Sequence, residues 1–183
     1  IGTVSVRQEA ANVYDLYFVE RDLRAASGGD ALRAEERVLS GGADSTAQQA
    51  EALMAELLKG PVDQTLKSPF PKGTGLNSVE QKGTEIHVDF SAVYGTLSGM
   101  DLTLADYAVT MTLAQLPDVA RVRITVAGNN LDYRSRQVFL IRDILFAPKE
   151  DVVGTVAVQL YFPNEDGALT PEDRTLSLYE GDT

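Results

Sequence analysis

The chain carries one stretch of sequence twice, and any fold it adopts has to house both copies. Val13–Glu20 reads V-Y-D-L-Y-F-V-E and is followed by A-E-E-R-V-L at Ala34–Leu39. Val156–Pro163 reads V-A-V-Q-L-Y-F-P and is followed by P-E-D-R-T-L at Pro171–Leu176. Leu16-Tyr17-Phe18 answers Leu160-Tyr161-Phe162, and Glu35-Glu36-Arg37 answers Glu172-Asp173-Arg174. The first copy differs mainly by seven extra residues between its halves, in the region Arg24–Asp30. Self-similarity of this kind means one supersecondary unit used more than once. A helix and a further α/β unit follow the first copy, whereas the second reaches Thr183 without either. The expectation is one whole domain plus the opening hairpin of another, as in a piece of a longer tandem protein.

Each copy reads as a β-hairpin. Tyr14, Leu16 and Phe18 alternate on one face of the first strand, and Val156, Val158, Leu160 and Phe162 do so in the second copy. A period of two over so short a span predicts a half-buried strand. Leu32–Leu39 returns as the partner of the first, and Asn164-Glu165-Asp166-Gly167 supplies turn chemistry in the second. Ser45 with Gln48 three residues on forms a capping box. Ala47, Ala50, Leu53, Met54, Leu57 and Leu58 then make an apolar stripe at helical spacing, closed by Gly60 and Pro61. Pro69, Pro71, Gly73 and Gly75 mark a loop. Leu76–Gln81 and Glu85–Phe90 read as strands joined by Lys82-Gly83-Thr84.

A second capping pattern, Thr103 with Asp106, predicts a helix carrying Leu104, Ala108, Met111 and Leu116 and stopping at Pro117. Val119–Val126 alternates as a strand before Gly128-Asn129-Asn130. Leu131–Asp151 is too apolar for a flexible linker and is expected to pack on the first domain as helix or strand. The order β-β-α-β-β-α-β predicts an α+β two-layer sandwich, a mixed sheet with two helices on one face, followed by an orphan β-hairpin. The expected boundaries are a lead-in over 1–12, a domain over 13–147, a linker over 148–155 and the start of a second repeat over 156–183.

Taken in order, these pieces spell a family. They are the L-Y-F strand, the helix ending L-L-K-G-P (Leu57–Pro61), the loop P-K-G-T (Pro71–Thr74), S-V-E-Q-K-G-T-E-I-H-V-D-F-S (Ser78–Ser91) and T-L-A-Q-L-P-D-V-A-R-V-R-I-T-V-A-G (Thr112–Gly128). Over about Val13–Asn130 the series resembles the GerM domain, also called the sporulation and spore germination domain. The resemblance implies a non-catalytic module of the bacterial cell envelope, frequent in lipoproteins and in tandem, and likened to ring-building folds. It supplies no active-site motif to carry over.

Composition narrows the partners. Sixteen basic against twenty-seven acidic side chains give a net charge of −11, which forgoes the electrostatic term of nucleic-acid binding and disfavours an anionic membrane face. With no cysteine, disulfides and thiolate chemistry are excluded within this sequence. No run approaches the roughly 20 apolar residues of a membrane span.

The catalytic inventory is thin. His87 is the one histidine, and its nearest partner is Asp89 on the same strand face. A lone His and Asp on a polar face read more simply as a solvated face. Among the carboxylate pairs Glu35/Glu36, Glu165/Asp166 and Glu172/Asp173, strand neighbours point to opposite faces and cannot flank one glycosidic bond. Glu35 with Arg37, and Glu172 with Arg174, share a face and could form salt bridges. Such a repeated pair reflects either shared descent or a recurring contact between modules. Arg121 and Arg123 share a face too, read as charge defending a strand edge. Tyr14, Tyr17, Tyr94, Tyr107, Tyr133 and Tyr161 are the available stacking platforms for a sugar.

The reading is therefore a non-catalytic envelope module for protein–protein assembly or scaffolding. It has no catalytic, cofactor-binding or metal-binding residue assigned and no cofactor. Its expected partners are envelope proteins or further copies of itself, with peptidoglycan second and nucleic acid excluded. The expected location is extracytoplasmic, anchored as a lipoprotein in the full-length protein. The alternative is a peptidoglycan- or polysaccharide-binding module or a weak cell-wall hydrolase.

Overall fold

In the computed structural model, residues 12–22, 31–39, 45–143, 152–163 and 169–179 are described. They fall into two compact units, the first ending at Ile144 and the second starting at Leu145.

The first unit opens with the predicted hairpin. β1 (Asn12–Glu20) runs antiparallel to β2 (Leu32–Leu39), with Leu16 opposite Glu35 and Tyr14 opposite Arg37. Nothing in the local pattern announces β3 (Leu66–Lys67), a two-residue strand on the other side of β1 at Val19 and Glu20. α1 (Thr46–Lys59) has the predicted ends: the Ser45 hydroxyl accepts the Gln48 N–H at 3.3 Å, and Gly60 at φ 86° closes the last turn. Its apolar stripe is buried at Ala50, Leu53, Met54 and Leu57.

A second, mixed sheet has the order β4-β5-β6-β7. It comprises β4 (Leu76–Lys82), β5 (Glu85–Phe90), β6 (Arg121–Val126) and β7 (Val138–Leu140). β5 and β6 are its parallel pair. A parallel pair needs a crossover, and α2 (Gly99–Leu113) supplies it. The α+β class holds, with β1, β2 and β3 forming a three-stranded sheet of their own. Leu16 and Phe18 from β1 join Leu53 and Leu57 from α1, Val88 and Phe90 from β5, Leu113 from α2 and Ile124 from β6 in one fully buried core.

The start of α2 departs from expectation. Thr103 does not cap it; the helix begins at Gly99, and the Thr103 hydroxyl donates back to the Gly99 carbonyl at 3.1 Å. The capping pattern misled because Asp106, its acidic member, is used in the interior. Met111 and Leu104 are half-buried, while Leu102, Ala105 and Val109 go inside. The helix ends at Leu113, before Pro117. In the apolar stretch after β6, β7 and a short 3-10 turn at Ile141–Asp143 occupy the described part. Residues 144–151 lie outside the described residues, as do the insert at 24–30 and the turn at 164–167.

The second unit is a hairpin of β8 (Val152–Pro163) and β9 (Leu169–Tyr179). Leu160 stands opposite Glu172 and Val158 opposite Arg174. These are the positions of Leu16–Glu35 and Tyr14–Arg37. The seven-residue difference between the copies is absorbed outside the paired strands, because sliding a strand by one residue would turn every side chain to the wrong face.

Candidate functional site

Three polar constellations stand out in the first unit, and each begins with residues the sequence singles out. The first is Glu-x-Arg on β2. Glu35 and Arg37, two apart on a strand, share a face. The Arg37 Nε donates to Glu35 Oε1 at 2.7 Å. Neither side chain stops there. Glu35 Oε2 accepts the backbone N–H of Val62 at 3.0 Å and of Asp63 at 2.8 Å. Arg37 donates to the Gly60 carbonyl at 3.1 Å and lies 3.7 Å from the Glu56 carboxylate. The pair thus grips the carboxyl end of α1, where helix carbonyls and the following N–H groups lack partners. Burial alone would raise the Glu35 carboxyl, but the Asp63 and Val62 N–H groups and Arg37 hold it below the usual carboxylate range. Glu36, between them, is exposed.

The second constellation lies on the face of the mixed sheet away from the core. His87 and Asp89 are brought together through a residue the sequence reading missed. His87 Nε2 is 2.9 Å from Thr125 Oγ1, and the Thr125 hydroxyl donates to Asp89 Oδ1 at 2.6 Å. Thr125 follows Arg121 and Arg123 at period two, so the strand pattern carried the signal. Asp89 also accepts from Asn77 Nδ2 at 2.8 Å and from the Gly128 N–H at 2.8 Å. That last bond fastens a turn in which Ala127 (φ 48°) and Gly128 (φ 77°) are both left-handed, a conformation that costs alanine about 1 kcal/mol or more. Burial pushes the Asp89 carboxyl up, while Thr125, Asn77, Gly128 and the His87 ring together hold it below its ordinary value. Every partner of Asp89 is a structural tie. The geometry fixes β4, β5 and the turn after β6.

The reading of Arg121 and Arg123 as defence of a strand edge is corrected by the sheet order. β6 lies between β5 and β7, so it is not an edge to be defended. Arg123 Nε donates to Glu85 Oε1 at 3.0 Å, and Arg121 stands 3.9 Å from the same carboxylate. Arg134 is no surface charge at all, being 8% exposed.

Arg134 belongs to the third constellation. Its Nη1 donates to Asp106 Oδ1 at 2.7 Å, and the Tyr94 hydroxyl donates to the same oxygen at 2.7 Å. Gln137 accepts from Arg134 at 2.8 Å and returns its own amide N–H to the Leu131 and Arg134 carbonyls. The guanidinium lies 5.6 Å over the Phe139 ring. This knot pins the loop between β6 and β7 to α2. Burial pushes the Asp106 carboxyl up to about 6, against the pull of Arg134 and the Tyr94 hydroxyl. Tyr94 is fully buried and stacked on Phe90 at 4.6 Å, so it is no platform for a sugar. Tyr107 and Tyr133 remain exposed, the latter with its hydroxyl donating to the Gly95 carbonyl at 2.5 Å. An open cleft of about 210 Å³ lies between Val19, Lys67, Phe70, Leu97 and Leu104.

No group of three or more His, Asp or Glu with metal-holding geometry occurs among the described residues. No helix among them is long and apolar enough to cross a membrane.

Comparison with known proteins follows the same lines. Residues 15–132 match the family model described as Germane, sporulation and spore germination. The solved tandem GerMN domains of the sporulation protein GerM from Bacillus subtilis superpose with a TM-score of 0.53 at 18% identity, over 92% of this chain. The chain spans 62% of that structure's length. A candidate lipoprotein from Clostridium perfringens matches with a TM-score of 0.49 at 18% identity, over 77% of this chain and 95% of its own. The first GerMN domain of the same Bacillus subtilis protein matches at 0.49 and 24% identity, over 66% of this chain and 86% of its own. No curated protein matches the chain.

Proposed function

The chain belongs to the Germane family of sporulation and spore germination domains, and from that premise we propose that it is a non-catalytic, modular scaffold of the bacterial envelope. The observation that carries this reading is how the polar groups are used. Glu35 holds a helix end, Asp89 holds a turn and Asp106 holds a loop. All three are the sort of buried or half-buried carboxylate that an active site would leave open toward a substrate. On this reading they are structural, and the repeated hairpin is the unit of construction. Residues 13–147 make one module and 156–183 begin another.

The proposed partners are other envelope proteins or further copies of the same module. The proposed setting is outside the cytoplasm on a lipid-anchored polypeptide, in keeping with a family of sporulation and spore germination domains. Light scattering on the full polypeptide tests assembly, and a species that stays monomeric at high concentration would count against it. A pull-down on purified peptidoglycan, with muropeptide release followed, tests the rival reading. Release of muropeptides that tracks the protein would sink the non-enzyme assignment.

A further inference from the structure

β3 runs on into Ser68-Pro69-Phe70-Pro71, and this wall stands across a cleft of about 210 Å³ from the first turns of α2. Val19, Leu97 and Leu104 complete the apolar lining, and Ser68 is its neutral polar side chain. The wall is rigid before anything binds. Its two prolines fix their own φ angles. The Phe70 N–H donates to Ser68 Oγ at 3.1 Å, and the Phe70 ring packs 5.8 Å from Phe90 and 6.0 Å from Tyr94. Met100, 72% exposed, lies one helical turn before Leu104 and extends the apolar surface beyond the rim. The rim carries two opposite charges, Lys67 on the β3 side and Asp101 on the α2 side, both exposed. Among the described residues, neither of these two side chains has a hydrogen bond or an ion pair.

We propose that this cleft is a docking site for a protein segment that inserts one leucine-sized side chain, with an acidic residue on one side of it and a basic residue on the other. Size and lining select that occupant. Small-molecule and cofactor sites enclose about 300–1,000 Å³ and converge several polar groups on the ligand. This cleft is smaller and offers the Ser68 hydroxyl between two charged rims. Phe70 is 8% exposed, so it presents no open aromatic face on which a sugar could stack. One apolar anchor in a preformed pocket, ringed by polar contacts, is the arrangement in which few residues carry most of the binding. Lys67 answers a carboxylate of the segment, and Asp101 answers an ammonium or guanidinium. Their opposite signs set the direction in which the segment lies. The inference rests on the reading of this module as one that works through protein contacts, and it names the chemistry of one such contact.

The test titrates the ¹⁵N-labelled full chain with two capped tripeptides of equal composition, acetyl-Glu-Leu-Lys-amide and acetyl-Lys-Leu-Glu-amide. One of them is expected to shift the amides of Lys67, Phe70, Leu97 and Leu104 at about threefold lower concentration than the other, the scale of exposed charge pairs. Replacing leucine by alanine in the better tripeptide should weaken binding about tenfold, as for an apolar side chain that no longer leaves water. In the double variant Lys67→Glu with Asp101→Lys, the order of preference should invert. Both positions are exposed, and an unchanged amide spectrum across β5 shows that the variant folds. Cleft amides that stay unmoved with both tripeptides would overturn the site. So would equal binding of the two, or an order that survives the double reversal. A chain that takes neither tripeptide yet assembles by light scattering loses this site and keeps the modular reading.

Discussion

Leu16 faces Glu35 in β1–β2, and Leu160 faces Glu172 in β8–β9; Tyr14 faces Arg37, and Val158 faces Arg174. The two hairpins repeat each other residue for residue at the core of their pairing, while their surroundings differ. β1 has β2 on one side, and on the other β3 together with α2 side chains. Among the described residues, β8 has β9 as its one neighbour in a two-stranded sheet. Strand register follows from alternation alone. What a Glu-x-Arg pair on the strand does depends on what lies against it, and a two-stranded hairpin contributes little stability by itself.

The largest effect that would break this contrast comes from the core. Phe18 is fully buried, so Phe18→Ala should lower the unfolding free energy of the first unit by about 3–5 kcal/mol in urea denaturation. Phe162→Ala, its register counterpart, should leave the midpoint of that transition unmoved. If both changes shifted it equally, the two hairpins would belong to one cooperative core and the contrast would fail.

Next in size is the helix grip. Glu35→Ala removes the acceptor for Val62, Asp63 and Arg37 together, at a cost of about 2 kcal/mol to the first unit. Amide exchange at Val62 and Asp63 should speed up at once. Glu172→Ala should change neither. A cost for Glu35→Ala within a few tenths of a kcal/mol would mean that the pair behaves as an ordinary surface salt bridge.

How much of this was legible follows from where the signals lie. Both ends of α1 were readable because capping and termination are local, written in Ser45, Gln48, Gly60 and Pro61. The β1–β2 and β5 bounds were readable because alternation is local too. The grip of Glu35 on Val62 joins residues 27 apart, and nothing in the strand's own pattern announces it. Arg134 sits in an aperiodic stretch, so its burial beside Asp106 had no sequence signal. The same Asp106 produced a false one, since an acidic residue three after a threonine looks like a cap whatever it binds. Thr125 was the recoverable omission: its place in the period-two series put it beside His87 and Asp89.

Acid should separate the contributions by sign. Glu35 and Asp89 sit below the ordinary carboxylate range. Their stabilisation is present above the unfolded-state value and is lost as pH falls through the lower folded value. Asp106, pushed up to about 6, acts the other way. Its contribution is full below the unfolded value and is lost as pH rises through about 6. The first unit should therefore melt highest within the ordinary carboxylate range, at about pH 4, where the two windows meet. Asp106→Asn should flatten the decline toward neutrality while lowering the curve as a whole, since Arg134 then lacks its counter-charge. A melting temperature that rises steadily from about pH 5 to about pH 8 in the parent would contradict the sign assigned to Asp106.

The smallest effect concerns the strand edge, and it sharpens the comparison most directly. Along Asp15–Tyr17, β1 has no strand on its second side among the described residues, and two side chains from the end of α2 stand there instead. The Asp15 N–H donates to Gln115 Oε1 at 2.8 Å, and Gln115 Nε2 donates back to the Asp15 carbonyl at 2.5 Å. The Tyr17 N–H donates to the Thr112 hydroxyl at 3.2 Å. A side-chain amide offers the same donor and acceptor as a peptide group, so Gln115 completes one rung of a ladder that the backbone does not build. Gln115→Ala should cost about 1 kcal/mol and should raise exchange at Asp15 more than at Tyr17, whose partner is kept. Gln115→Glu keeps the acceptor and loses the donor, so Asp15 N–H should remain protected while its carbonyl turns to water. If alanine left Asp15 exchange unchanged, the edge of β1 would be closed by something other than this amide.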